Sequence, residues 1–190
     1  LLKLLDNNSY NHRKVIFLTH GAFYRSMKDK WLRLAIIKRA LYNRKSNVAV
    51  IYRSLERFGS ELLEFKYEER RNPGLVKRLL KADFTEWKRI LVESESLEES
   101  DSDPIPASII KELWKIPTVE FNCLVNELHK LLPKKRSGNL RANLMDARTK
   151  LKDKINNIWR LCLIQINPSL PLLILDEAHH LKNARTRFAS

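Results

Sequence analysis

The run Leu172-Leu173-Ile174-Leu175-Asp176-Glu177 constrains the fold more than any other part of the chain. Four apolar residues end abruptly in two adjacent carboxylates. That is the pattern of a strand buried in a parallel sheet, with its acid groups delivered to the carboxyl edge. Open α/β sheets hold their ligands at that edge. A second run of the same kind lies near the start. Lys14–Thr19 reads as a short buried strand, followed by a turn at His20-Gly21.

Between the two runs the periodicity is helical. Trp31, Leu34, Ile37 and Leu41 predict a helix over 27–43. Asn47 is a cap for a second helix, whose face carries Val48, Ile51, Leu55, Phe58, Leu62 and Phe65. Gly59 weakens that helix without breaking it. Asn72-Pro73-Gly74 is a turn before a short helix over 75–80, and Asp83 with Glu86 signals a further start into Trp87, Ile90 and Leu91. Residues 93–103 hold only Glu, Ser, Asp and one Leu, and are expected to be a disordered, solvated loop. Helices follow over 107–116 and 118–132, then a basic turn, Pro133-Lys134-Lys135-Arg136. The most regular element comes last. Leu140, Leu144, Ala147, Leu151, Ile155, Ile158 and Cys162 recur at steps of three and four, a stripe for packing against another helix of the same block.

Charge narrows the partner. The formal net charge is +14. Residues 1–90 carry 21 Lys and Arg against 9 Asp and Glu, while residues 91–190 carry 15 against 13. Such a surplus favours a polyanion, above all nucleic acid. With 44% hydrophobic and 31% charged residues the chain has the composition of a globular protein. No apolar run approaches the ~18 residues of a membrane span, and no membrane partner is expected. Cys123 and Cys162 lie in apolar helical patterns and read as buried free thiols in a reducing compartment, without zinc-ligand spacing.

Asp176-Glu177-Ala178-His179 resembles motif II, the Walker B box, of superfamily 2 helicases and translocases. Its continuation, His180-Leu181-Lys182-Asn183, is similar to the Swi/Snf-type branch. Val15-Ile16-Phe17-Leu18-Thr19-His20-Gly21-Ala22 resembles motif Ib of the same branch, and the order of the two is right. Together they cover about 20 residues. The resemblance implies a fold that is α/β by family, a partial RecA-like lobe, yet predominantly α-helical within this chain. Two short core strands would flank a helical insertion. Residues 1–25 and 169–190 would belong to the lobe, and 26–168 to the insertion, with an acidic loop at 93–106. The usual gap between these motifs is far shorter, so the insertion departs from the family pattern.

The resemblance also implies roles. Asp176 contacts nucleotide-bound Mg2+, usually through water; Glu177 orients and deprotonates the attacking water; His179 links the nucleotide site to other motifs. Thr19 and His20 touch the nucleic-acid backbone. The basic turn Lys134, Lys135 and Arg136 joins them as candidate phosphate contacts. ATP and Mg2+ are the expected cofactors and double-stranded DNA the expected partner, with a protein partner open to the insertion. The expected compartment is a bacterial or archaeal cytoplasm, or a eukaryotic nucleus.

One box is absent. Hydrolysis needs a Gly-Lys-Thr/Ser phosphate cradle. Gly21, Gly59, Gly74 and Gly138 are followed by Ala, Ser, Leu and Asn. The chain alone is therefore expected to be inactive, and to be a piece of a longer protein. Two other readings stay open. The chain is a basic helical module for nucleic acid or protein, with a coincidental Asp-Glu-Ala-His string capping a helix. Alternatively the insertion is a gripping arm whose basic surfaces lie at Arg25–Lys45 and Lys134–Lys154.

Overall fold

The computed structural model describes residues 16–18, 30–42, 44, 48–65, 72, 74–101, 103–134, 138–166 and 173–175. The chain divides into two compact units, one of Lys30–Ile166 and one of Leu1–Asp29 with Asn167–Ser190. The boundaries expected from sequence were 25/26 and 168/169.

In the discontinuous unit two strands are described, β1 (Ile16–Leu18) and β2 (Leu173–Leu175). They pair in parallel, Ile16 with Leu173, Phe17 with Ile174 and Leu18 with Leu175. Two strands of three residues are a ribbon, not a RecA-like sheet. The described residues are therefore those of a predominantly helical protein, and the α/β part of the expectation goes beyond them.

The Lys30–Ile166 unit is built from seven α-helices among its described residues: α1 (Lys30–Leu41), α2 (Val48–Leu62), α3 (Leu75–Lys81), α4 (Trp87–Glu93), α5 (Ala107–Lys115), α6 (Thr118–Leu131) and α7 (Leu140–Ile166). α1 packs against α5, α6 and α7 and is buried except at Lys30, Lys38 and Arg39, which are half-buried. Besides Trp31, Leu34, Ile37 and Leu41, it buries Leu32, Ala35, Ile36 and Ala40. A helix with apolar residues on several faces belongs inside a bundle. α7, about 40 Å long at 1.5 Å per residue, packs against α1, α2, α5 and α6 through Ala147, Leu151, Ile155, Ile158 and Cys162.

Of the predicted stripe, α2 buries Ile51, Leu55, Phe58 and Leu62 and leaves Val48 half-buried, Phe65 is buried just past its end, and the helix runs through Gly59. A Cβ at Gly59 would meet the Val76 methyls of α3 at 3.3 and 3.4 Å, so the glycine lets the two helices approach closely. α2 ends in a Schellman motif. The Phe65 amide donates to the Ser60 carbonyl at 2.9 Å and the Glu64 amide to that of Glu61 at 3.4 Å. Glu64 takes the left-handed position at φ 59°, where glycine is usual. Phe65 then packs against Trp31 in a tilted pair with ring centroids 5.3 Å apart.

The C-terminal carbonyls of α3 are satisfied from outside the helix. Trp87 Nε1 donates to Leu79 O at 2.9 Å, and Lys38 Nζ donates to Leu80 O at 3.1 Å and to Ala82 O. Burial, the largest influence, lowers the Lys38 pKa below the usual lysine range; Asp83 and Glu86 oppose it. The Asp83 carboxylate caps the next turn by accepting from the Phe84 amide at 2.6 Å.

The acidic stretch is a loop, as expected, but one with local order. The described residues of 94–101 form a succession of turns rather than a structureless linker. α4 closes with a second Schellman motif at Glu95, φ 56°, whose neighbour Ser96 donates to Leu91 O at 2.9 Å. Ser94 Oγ donates to the same carbonyl at 3.0 Å, and Asp101 Oδ2 accepts from the Glu98 amide at 3.0 Å. Short Ser and Asp side chains bond nearby backbone readily, which holds turns that have little apolar surface to bury.

Candidate nucleic-acid interface

The residues named by the resemblance, Thr19, His20, Asp176, Glu177 and His179, lie outside the described residues, as do Lys135 and Arg136. What is described is the backbone that leads to them. Leu18 and Leu175 are partners in register, and the sequence passes from them directly into Thr19 and Asp176. Asp176 is the residue the resemblance gives to Mg2+. Among the described residues no group of three or more His, Cys, Asp or Glu side chains is placed to hold a metal ion.

Lys134 is described, and it lines a groove of about 580 Å³. Val50, Arg53, Ser54, Glu56, Arg57 and Phe58 of α2 form one wall; Pro133 and Lys134, just past α6, form the other. Arg53 and Arg57 are four residues apart, which puts both on the face of α2 opposite its buried stripe. Arg53 Nε donates to Ala49 O at 3.2 Å, and the Arg57 guanidinium lies 5.9 Å from the Phe58 ring. Glu56, the acidic member, is paired with Lys77 at 3.0 Å. Arg53, Arg57 and Lys134 have no ion pair among the described residues, so the groove presents net positive charge to solvent. Guanidinium forks beside a lysine and a serine hydroxyl suit phosphate oxygens.

The sequence reading found Lys134 but missed Arg53 and Arg57. Their signal was present as an arginine pair at helical spacing on the solvent side of a strongly amphipathic helix. Attention to the apolar face alone passes over it.

A second electrostatic feature had no local signal. Arg33 is buried at 3% exposure within α1. Its Nη1 lies 3.0 Å from Glu64 Oε2, while Nε and Nη2 have no hydrogen-bond partner among the described residues. Arg148 Nη1 is 3.9 Å from the other Glu64 oxygen. Desolvation, the largest influence, pushes Glu64 up. The Arg33 hydrogen bond and charge, with Lys152 and Arg148, outweigh it and hold the carboxyl below the usual range. With one carboxylate serving a buried guanidinium, this is a structural pair.

The thiols differ from each other. Cys162 is buried as expected, and desolvation with nearby Glu112 pushes it up to about 12, so it stays protonated. Cys123 is exposed, which corrects the expectation of two buried thiols. It falls between Phe121 and Leu124, two of the three residues α6 buries. No helix among the described residues is long and apolar enough to cross a membrane. Comparison of the chain with protein-family models, with curated proteins and with solved structures finds no match.

Proposed function

We propose that this chain is part of an ATP-dependent nucleic-acid helicase or translocase of the Swi/Snf type, a partial RecA-like lobe carrying a helical insertion. One observation carries the reading. The strand that runs into Asp176-Glu177-Ala178-His179 pairs in parallel, end to end, with the strand that runs into Thr19. Parallel strands have their carboxyl ends together, which is where this chemistry needs its acids and its nucleic-acid contact. Asp176 would hold Mg2+ and Glu177 would take the proton of the attacking water. The phosphate cradle has to come from chain outside these 190 residues, because none of the four glycines here is followed by Lys. The Arg53, Arg57 and Lys134 groove gives the helical unit a place for a phosphate backbone.

The test is Glu177→Gln in the full-length protein. ATP hydrolysis should fall at least about a hundredfold, as loss of a general base does, with DNA binding unchanged. Unaltered hydrolysis overturns the reading. The groove alone favours a second account, a basic helical binding module in which Asp176 and Glu177 serve no nucleotide. In that case the same substitution changes neither property.

A further inference from the structure

The chain has four tryptophans. Trp31, Trp87 and Trp159 are buried, at 7%, 2% and 9% exposure, but Trp114 is 55% exposed. α5 buries Ile109, Ile110 and Leu113 and leaves Trp114 on its solvent side. Tyr42, one residue past α1, is 57% exposed. Arg39 reaches the main chain of Trp114 and the ring of Tyr42. Its Nη2 donates to Trp114 O at 3.4 Å, and its guanidinium lies 5.6 Å from the Tyr42 ring and 5.5 Å from the Phe121 ring. On α5 Lys111 and Lys115 neighbour Trp114 in sequence; Lys115 is paired with Glu112 at 2.7 Å, and Glu120 lies in the first turn of α6.

Trp and Tyr, apolar in the ring and polar at the tip, are the side chains enriched at contact sites. The charge around it selects the partner. A hydrophobic helix would need a continuous apolar surface, and here Arg39, Lys111 and Lys115 interrupt it. Aromatic faces set among cations suit bases that stack while their phosphates stay solvated or paired. The net charge of +14 favours the same polyanion. Duplex DNA hides its base faces, so a stacking ring takes only unpaired nucleotides.

We propose that the exposed rings of Trp114 and Tyr42, carried by segments that Arg39 touches, are stacking surfaces for the unpaired bases of a single-stranded nucleic acid. The inference rests on the nucleic-acid reading above and narrows it, since the helical unit then engages an opened strand. The experiment titrates the 190-residue chain with a short fluorescein-labelled oligothymidylate. Anisotropy reports binding, and tryptophan emission with iodide quenching reports Trp114, the one open indole of the four. Binding should quench the exposed emission and shield it from iodide. Trp114→Ala should weaken binding about tenfold, the scale of one lost stacked base. Trp114→Phe should restore most of it, and Tyr42→Ala should weaken it as a second, independent variant. The salt slope should not change in any of them, because no phosphate contact is lost. Anisotropy that rises while Trp114 stays open to iodide overturns the stacking but leaves nucleic-acid binding intact. Equal shielding by polyglutamate overturns it in favour of a protein dock. No binding of either the oligothymidylate or its duplex removes the nucleic-acid reading and the stacking with it.

Discussion

At the scale of single residues, Glu64 combines two costly features. Its backbone takes the left-handed conformation at the end of α2 that glycine would adopt more easily, and its carboxylate neutralises Arg33. Glu64→Gln should destabilise the protein by about 2 kcal/mol, the scale of a hydrogen bond to a charged group, read as the urea midpoint at neutral pH. The folded pKa lies below the ordinary value of 4.5. The carboxylate's contribution is therefore complete above about pH 4.5 and is lost as pH falls through the lowered folded value. The gap between Glu64→Gln and the native protein should close over that window; a gap independent of pH would reject the ion pair as its source. Arg33 and Glu64 are 31 positions apart, and no spacing rule connects them. An arginine within an apolar helix announces only that it needs a partner, not which one.

At the scale of elements, hydrophobic spacing was a good guide. The stripe of α2 from Ile51 to Leu62 and the repeat of α7 from Ala147 to Cys162 are buried as their three-and-four spacing predicts, while Val48, Leu140 and Leu144 at the helix starts are only half-buried. Periodicity failed where both faces of a helix are covered. α1 shows no preferred side because nearly all of it is buried, so a one-sided reading finds Trp31, Leu34, Ile37 and Leu41 and passes over Leu32 and Ile36. The α2–α3 contact turns on Gly59. Alanine there gains helix propensity of about 1 kcal/mol but presses on Val76 at 3.3 Å. Gly59→Ala should accordingly change stability by less than about 1 kcal/mol. Gly59→Leu should lose about 2 kcal/mol through overpacking. Chemical denaturation of the two variants separates close packing from mere propensity; equal midpoints would mean that the space is not tight.

At the scale of the whole molecule, the charge asymmetry acquires a location. The basic surplus of the first half contributes Arg53 and Arg57, and the turn after α6 brings Lys134 beside them. Reversing Arg53 and Arg57 to Glu should weaken duplex binding and lower the slope of log affinity against log salt by about 2, one unit per lost phosphate contact. Both residues point to solvent, so stability should change by less than about 0.5 kcal/mol. An unchanged slope would place the backbone contact elsewhere. Net charge could be read as a preference for polyanions. The groove could not, because its walls come from segments about 80 residues apart in the sequence.

The sequence by itself determined the helical character of the middle of this chain, most helix boundaries, the turn at Gly74 and the cap at Asp83. These depend on neighbours within a few residues, where capping, φ preference and amphipathic spacing act. It also carried the acidic string after Leu175, the part of the functional reading that comes from sequence. Tertiary structure alone decided which helix sits at the centre, which arginine is buried and by what it is neutralised, and which of four tryptophans faces water. Those outcomes depend on which elements cover which faces, and burial sets the energy of an apolar or charged group far more strongly than its place in the chain.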